Sequence, residues 1–423
     1  MPKLNLWKFI VALTIFVASA TLCQQVIWKS ALNQNNKQDA AEINDIRYGL
    51  FSVNMWKERL AAIIVEEIDK LSLTRTNATQ LKAHVEIQLN GLIDNVDKKI
   101  RESNKGTTKG WIKQAFINAF VSIKDIKKGI PEYADAIIVE MTKAQTEHHL
   151  KNIVNKRIEK YFDKTFEIQD LSRLDQIVSR IGAADIESAK VRLSQEIEKN
   201  QRIINQETCL LIALAILLFV LLGVTKKMLS GPGFILMLLE LGLLLLAGVT
   251  TPMIDMEAKI SQITLVLLDH PITFVNQVLY FQTKSILDVF WIMITNSEMQ
   301  MKFVGILMVC FSVVFPVLKM ISAFAYYYDF HKARENSLVR FFVLKSGKWS
   351  MSDVLVVAIF MAYIGFNGII TSQFGNMNSA DQDLVILTTN GTSLQPGFYI
   401  FMSYAVLALF LSGLLVKKRA PDQ

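Results

Sequence analysis

The feature that most constrains this chain is a set of long apolar runs in its second half. Residues 206–423 contain several runs near the roughly 18 to 20 residues that cross a bilayer core of about 30 Å. Residues 29–205 carry frequent charge and contain no such run. Hydrophobic residues make up 52% of the 423 residues, which is more than a soluble enzyme of this length carries. The sequence therefore predicts a membrane protein with one soluble insert.

Six candidate spans follow from the apolar runs. They cover residues 9–28, 209–224, 233–252, 303–324, 351 to about 371, and 397–416. Basic residues flank alternate ends of these spans, at Lys3 and Lys8, at Lys226 and Lys227, in the loop 331–348 and in the tail 417–419. Because short basic loops remain cytoplasmic, we expect both termini in the cytoplasm and residues 29–205, 253–301 and 372–396 on the outside.

The first span is expected to be an uncleaved anchor that occupies residues 1–28. Its length and the interfacial Trp28 favour an anchor. The small residues of "VASAT" make cleavage near Ala20 the alternative. A second span in residues 206–229 then leads to the last four-helix unit, residues 230–423.

Residues 29–205 have the pattern of a helical bundle. "NMWKERLAAIIVEEIDKL" places Trp56, Leu60 and Ile64 on one helix face, and four later segments, the last "SAKVRLSQEIEKNQRII", repeat the pattern. About five or six helices are expected in this insert. His148 and His149 are adjacent, so on a helix they diverge by about 100°. We expect no metal site there.

The stretch 253–301 is apolar but interrupted by charge, so we expect it to pack against the membrane rather than cross it. Its "ITLVLL" predicts a short strand and its "SILDVFWIMI" an interfacial helix. A further strand and turn are expected at "DLVILTTNG", residues 383–391, where the strand can pair with the first.

Two motifs resemble the membrane domain of the paraquat-inducible protein A family (PqiA/LetA). "FSVVFPVLKM" closes the fourth span and "GKWSMSDVLVVAIFMAYIG" opens the fifth, in the order found in that family, and "TTPMIDM" and "KSILD" also fit its pattern. The resemblance covers a single four-span unit, from about residue 230 to residue 416. Better-known members carry two such units and zinc-ribbon cysteines, whereas this chain has one unit and lacks the ribbon.

The resemblance implies an all-α polytopic membrane protein of the Gram-negative inner membrane. Its last four helices would form a tetraspanin-like unit, and residues 29–205 would form a periplasmic helical insert. Similar proteins work with MCE proteins, which form phospholipid tunnels or bridges between the two membranes. The implied function is to load or extract phospholipid for an MCE-type partner.

Three ionisable residues are predicted in the cytoplasmic half of the four-helix unit. From the span ends, Asp353 lies roughly 3 to 5 Å deep, Lys319 roughly 7 to 8 Å and Glu240 about 10 Å. Because charge at membrane depth needs a partner, we expect Lys319 to pair with Asp353, with Glu240 either joining them or staying protonated. Such a cluster would open a headgroup path or accept protons. Alternatively, Asp353 caps its helix and Lys319 snorkels.

Five further residues belong to the motifs. Pro316 removes a backbone hydrogen bond inside its span and is expected to kink the helix, either as a hinge or as fixed shape. Trp349 suits the headgroup zone. Pro252, Gly347 and Ser350 are expected to be structural residues of these motifs.

Other classes of function fit the sequence less well. The net charge of +7 is explained by topology signals, so we expect no nucleic-acid partner. We recognise no Walker A sequence, catalytic constellation or CxxC pair, and therefore expect neither an enzyme nor a cofactor or metal. The alternatives are a proton-coupled small-molecule transporter and a non-transporting membrane scaffold or receptor.

Overall fold

The protein is described here by a computed structural model. The structure describes residues 6–49, 170–223, 230–267, 270–345, 352–375, 379–381 and 384–417, together with Ser52, Met55 and Ile87. In chain order the main elements are α1 (Leu6–Ile43), α2 (Ser172–Ile181), α3 (Ile186–Gly223), α4 (Gly231–Thr250), β1 (Ile254–Leu267), β2 (His270–Lys284), α5 (Ile286–Thr295), α6 (Met299–Tyr328), α7 (Ser337–Arg340), α8 (Ser352–Gly375), β3 (Ser379–Asp381), β4 (Leu384–Asn390), β5 (Ser393–Leu394) and α9 (Pro396–Lys417).

Five of the described helices are long and apolar enough to cross a membrane, namely α1, α3, α4, α6 and α9. α8 is also helical over 24 residues, as predicted for the fifth span. α1 packs along α3, and α4 packs on α9 and α1, which gives one apolar core. Its fully buried side chains include Leu218, Phe234, Met237 and Phe401. The described part of the chain is therefore a multi-pass helical membrane protein.

The helices at the first two spans extend well beyond the apolar runs. α1 continues past Trp28 to Ile43, and α3 begins at Ile186 and runs without a break through the predicted span start at Cys209. The predicted boundaries at residues 28 and 206 thus fall inside continuous helices. The predicted helix at residues 188–204 is confirmed as part of α3. The rest of the predicted bundle, including His148 and His149, lies outside the described residues.

A five-stranded antiparallel sheet corrects the all-α prediction. Its order is β2-β1-β4-β3, with β5 paired to the start of β1. The predicted pairing of residues 383–391 with "ITLVLL" is confirmed, since Ile263 lies opposite Ile386. The predicted interfacial helix is α5, which begins with a capping box between Ser285 and Asp288.

The hairpin is much longer than the strand predicted from "ITLVLL". β1 has 14 residues and β2 has 15, whereas a typical strand has about 5 to 6. A register shift after Ala258 and the left-handed backbone of Asn276 (φ 53°) interrupt the pairing. Such bulges break the two-residue alternation on which strand recognition depends. The full length of the hairpin was therefore not visible in the sequence.

The sheet is tied directly to the ends of α4 and α9. The amide of Gly397 donates to the Pro252 carbonyl and that of Gln395 to the Met253 carbonyl, both at 2.9 Å. The amide of Met253 donates to the Lys284 carbonyl at 3.0 Å. The motif residue Pro252 is buried in this junction. One backbone network therefore joins two membrane helices to the hairpin.

Glycine at position 397 is required by this junction. A Cβ atom there would lie 2.6 Å from the Pro252 carbonyl oxygen and closer still to that of Thr251. We expect Gly397→Ala to lower the free energy of unfolding by about 1 to 3 kcal/mol, the usual cost of overpacking. Thermal unfolding of the purified protein in detergent measures this change. Gly413→Ala, in the same helix with open space around it, is the matched control, and equal effects of the two changes would refute the requirement.

The helix α6 contains a π-helical turn immediately before Pro316. The turn covers Cys310–Val314, and the Phe315 amide donates a hydrogen bond to the Cys310 carbonyl. Since proline lacks the amide that would continue the regular ladder, the wider turn accommodates it. Pro316 is buried and the helix continues to Tyr328.

Candidate functional site

The predicted intramembrane residues lie on three different helices. Lys319 is on α6, Glu240 is on α4, and Asp353 is the second residue of α8. The side chain of Asp353 lies outside the described part of the structure, as do Gly347, Trp349 and Ser350. Their predicted roles therefore remain predictions, and the described site rests on Lys319 and Glu240.

Lys319 lies on the inward face of α6. Ser312, Pro316, Lys319, Ala323 and Tyr326, at spacings of three and four, are all buried. This spacing marks a single helix face. Lys319 is only 6% exposed, so its ammonium group lies among protein atoms.

Two contacts between α4 and α6 show which residues of α6 lie level with Glu240. Phe234 stacks on Tyr327 with ring centroids 4.3 Å apart. A Cβ on Gly242 would lie 3.3 Å from the terminal methyl group of Met320. The two helices are therefore antiparallel, and Glu240 lies between these contacts at the height of residues 320–327. Lys319, which precedes Met320, thus lies within about one helix turn of the level of Glu240.

Glu240 is enclosed where α4 packs on α1. It has 0% exposure, and neither carboxyl oxygen has a hydrogen-bond partner. The Ser19 hydroxyl of α1 faces it, but it too lacks a bond of normal geometry. One turn further, the Cys23 thiol approaches the Leu243 carbonyl at 3.6 Å. Burying polar groups in this way costs about 1 to 3 kcal/mol each, and more if they are charged.

A second polar cluster, which the sequence analysis missed, lies where α4 ends and α9 begins. The Lys37 Nζ donates to Asp255 Oδ2 at 2.6 Å, to Gln201 Oε1 at 2.8 Å and to Gln395 Oε1 at 3.1 Å. The cluster lies at least about 15 Å along α4 from Glu240, at 1.5 Å per residue. We call it the Lys37 cluster.

Further polar contacts surround the Lys37 cluster. The Gln34 amide donates to the Thr283 carbonyl and to Asp288 Oδ2, both at 3.1 Å. Lys29 and Glu207 form an ion pair on the membrane side. These contacts connect α1 to α3, to β2 and to the start of α5.

One signal in the sequence could have revealed this cluster. Ser30, Asn33, Gln34 and Lys37 recur at helical spacing and continue the face on which Cys23 and Val26 are buried. A polar stripe that extends a buried apolar stripe predicts a buried polar contact. The partners could not be named, because they come from α3, β1 and the segment before α9.

The described residues contain no group of three or more His, Cys, Asp or Glu side chains arranged to hold a metal ion. The polar groups of both sites are amides, hydroxyls, carboxyls and ammonium groups. Such groups can donate hydrogen bonds to a polar or charged ligand or accept them from it.

Comparison with known proteins identifies the central part of the chain. Neither a curated protein nor a solved structure matches it. Residues 263–390 match the family model Paraquat-inducible protein A. This segment includes most of the sheet, α6 with Lys319 and α8 with Asp353, whereas α1, α3 and α4 precede it. The segment of residues 263–390, less than half of the chain, is therefore similar to the PqiA family.

Proposed function

We propose that this protein is an inner-membrane component of a lipid-trafficking or envelope-maintenance system. It would load or extract phospholipid for an MCE-type partner. The observation that carries the proposal is the combination of a PqiA-like segment with two buried ionisable groups, Lys319 and Glu240, inside a bundle of apolar helices. Intramembrane ionisable residues commonly mark transport pathways.

The proposed topology has six spans, with α8 as the fifth in chain order. Both termini are cytoplasmic and residues 29–205 are periplasmic, which follows from the basic loops. The close packing of α1 along α3 supports a retained anchor. Under this topology the sheet and the Lys37 cluster face the periplasm, where an MCE partner would dock.

The chemistry required of the membrane site is binding without bond cleavage. The Lys319 ammonium could neutralise a lipid phosphate that enters the bundle, and Glu240 and Asp353 could accept its amine or a proton. Each contact would lower the cost of moving a headgroup through hydrocarbon. No catalytic step or cofactor is needed for such a role.

A proton-coupled small-molecule transporter is the second candidate. The unpartnered, fully buried carboxyl group of Glu240 favours it, since such a group is suited to binding and releasing a proton. Substrate-dependent proton flux in reconstituted vesicles would support this alternative. A membrane scaffold, in contrast, would tolerate intramembrane substitutions and lose activity when residues 45–200 are deleted.

Substitution of the predicted pair tests the lipid function. We expect Lys319→Ala and Asp353→Asn to weaken the outer-membrane barrier, measured by detergent and antibiotic sensitivity, while the protein still inserts at normal levels. Ile321→Ala, at a membrane-facing position two residues away that is 59% exposed, is the matched control. The wild-type protein should also copurify with phospholipid and an MCE-bearing assembly. Wild-type behaviour of both site variants would contradict the assignment.

A further inference from the structure

The helix α6 is longer than a membrane crossing requires, and its exposed surface is apolar over most of that length. It has 30 residues, which extend about 45 Å, whereas the hydrocarbon core is about 30 Å thick. Exposed apolar side chains occur from Phe303 to Phe324, and no charged residue lies between positions 303 and 318. The outer part of α6 therefore has the surface of a membrane-facing helix.

This outer part of α6 lies beyond the end of α4. Met320 lies level with Gly242, and the two helices are antiparallel. The end of α4 at Thr250 is therefore level with about residue 312 of α6, where the π-helical turn lies. Phe303 is nine residues further along, which corresponds to about 13 Å. Its exposed ring is thus well outside the level at which α4 ends.

The helix α5 adds a second apolar arm at this height. A Cβ on Gly305 would lie 2.8 Å from the Met293 Cβ, so α5 packs along the outer part of α6. Trp291 and Ile292 are exposed on α5. After the capping residue Asp288, no charged residue follows until the turn before α6. The two arms therefore present an apolar surface beyond α4.

The sheet extends outward along α1. The Gln34 amide donates to the Thr283 carbonyl at 3.1 Å, and the Val278 amide donates to the Asn44 carbonyl at 2.8 Å. The ten residues from 34 to 44 advance about 15 Å as a helix, and the five from 283 to 278 advance about 17 Å as a strand. These lengths agree, so β2 follows α1 away from the end of α4.

The helix α8 also lies at the height of the sheet. It packs on β1 and β4, and its Phe366 ring is 6.0 Å from the Tyr280 ring. Tyr280 is four strand residues, or about 13 Å, from Lys284 at the junction with α4. Met361 and Ile364, shortly before Phe366, are exposed. Much of the predicted fifth span is thus further out than the end of α4.

The opposite side of the protein is polar at the same height. The Cys23 thiol approaches the Leu243 carbonyl, so Trp28 lies level with about the end of α4. Lys29 and Glu207 form an ion pair just beyond it. Exposed residues further out on α1 and α3 include Asn35, Gln38, Arg202 and Asn205. The hydrocarbon on this side therefore ends near Trp28, where an interfacial tryptophan is expected.

A flat boundary at the level of Trp28 would leave the apolar faces of α5, α6 and α8 in water. Covering a large apolar side chain is worth about 1.5 to 3 kcal/mol, and several are exposed there. Lipid is favoured as the cover, because these faces continue the membrane-facing surface of α6 without a break. The apolar run at 351–371, to which most of α8 belongs, also has the length of a span.

We propose that the outer boundary of the hydrocarbon is inclined across this protein. It lies at Trp28 beside α1 and α3, and about 10 Å further out, at the height of the sheet, beside α5, α6 and α8. Helix tilts in membranes range from about 0 to 40°, so a tilt of the whole protein can supply this inclination. Outer-leaflet acyl chains then contact Phe303, Trp291 and Met361.

The inclined boundary would bring outer-leaflet phospholipid alongside the sheet. Lipid exchange with a partner would then take place on the side of α5, α6 and α8, away from the polar outer parts of α1 and α3. This consequence rests on the proposed function, whereas the inclined boundary itself does not.

Depth measurements by electron paramagnetic resonance test the boundary. The full-length protein carries one nitroxide, on Leu307→Cys, Ile364→Cys or Leu32→Cys, and is reconstituted in vesicles of phosphatidylethanolamine and phosphatidylglycerol. The native cysteines, Cys23, Cys209 and Cys310, are replaced by alanine. Oxygen concentrates in hydrocarbon and a neutral nickel chelate stays in water, so the ratio of their collision rates with the nitroxide reports its depth.

We expect oxygen collisions to dominate at positions 307 and 364 and nickel collisions to dominate at position 32. Leu32 is the matched control, because it lies at a similar height to Leu307 and is similarly exposed, at 43% against 38%. Nickel access at position 307 or 364 equal to that at position 32 would overturn the proposal. Low access of both reagents at position 307 would show a protein cover and overturn lipid as the occupant.

Failure of this inference is distinguishable from failure of the proposed function. A flat boundary in the depth measurement would leave the barrier phenotype of Lys319→Ala and Asp353→Asn unaffected. Wild-type behaviour of those two variants would contradict the proposed lipid function without changing the measured depths.

Discussion

Replacement of Glu240 by methionine is expected to stabilise the protein and to abolish the proposed lipid-handling activity. The Glu240 carboxyl group is fully buried without a hydrogen-bond partner. Methionine has a similar volume and adapts to irregular gaps. Removing a buried polar group that has no hydrogen-bond partner relieves a desolvation cost of about 1 to 3 kcal/mol. A rise of this size in the free energy of unfolding is therefore expected.

The two effects of Glu240→Met are measured separately. Unfolding of purified protein in detergent gives the stability, and sensitivity of cells to detergents and antibiotics gives the activity. Leu239→Met is the matched control, because Leu239 is the exposed neighbour on the membrane-facing side of α4, and it should change neither. A stable variant that keeps wild-type activity would show that Glu240 has no functional role. A loss of stability would show that the carboxyl group has a favourable interaction in the fold.

Replacement of Lys37 by methionine is expected to have the opposite effect on stability. Lys37 and Asp255 form a largely buried ion pair, and Lys37 also satisfies two glutamine oxygens. Removing one member of a buried pair commonly costs about 3 to 5 kcal/mol, since the remaining charge is left uncompensated. We expect Lys37→Met to lower the free energy of unfolding by this amount.

A double substitution separates loss of the charge from loss of packing. Lys37→Met combined with Asp255→Leu should recover most of the lost stability, because no buried charge then remains. Lys190→Met is the matched control, since its partner Glu187 on α3 is 77% exposed and their ion pair should contribute less than about 1 kcal/mol. Equal losses for Lys37→Met and Lys190→Met, or no recovery in the double variant, would refute the role of the buried pair.

The parts of the fold that could be predicted are those with a strong local pattern. The apolar runs predicted helices at α4, α6 and α9, because a bilayer span requires a continuous run of apolar residues. The pairing of Ile263 with Ile386 was also predictable, since both short runs are rich in β-branched residues. The full hairpin was not, because its bulges at Ala258 and Asn276 interrupt the alternation.

The candidate sites depend on contacts between distant segments, which limits what the sequence can reveal. Glu240 was visible as a charge inside an apolar run. That Ser19 of α1 would face it could not be read from either segment. In the sequence, Lys37 has the pattern of a solvated residue on a polar helix face, because its partners Asp255 and Gln395 come from distant segments. Separations of 218 and 358 residues leave no local signal for these contacts.

The proposed passage of phospholipid through the bundle is tested most directly by photo-crosslinking in cells with phosphorus-labelled lipids. A photoreactive amino acid is placed at Ser322, which is buried one turn from Lys319, or at Ile321, which faces the membrane. We expect the residue at position 322 to capture labelled phospholipid, and this capture to be lost in Lys319→Ala, while position 321 captures surrounding lipid in both backgrounds. Capture at position 321 with none at position 322 would contradict a lipid path beside Lys319.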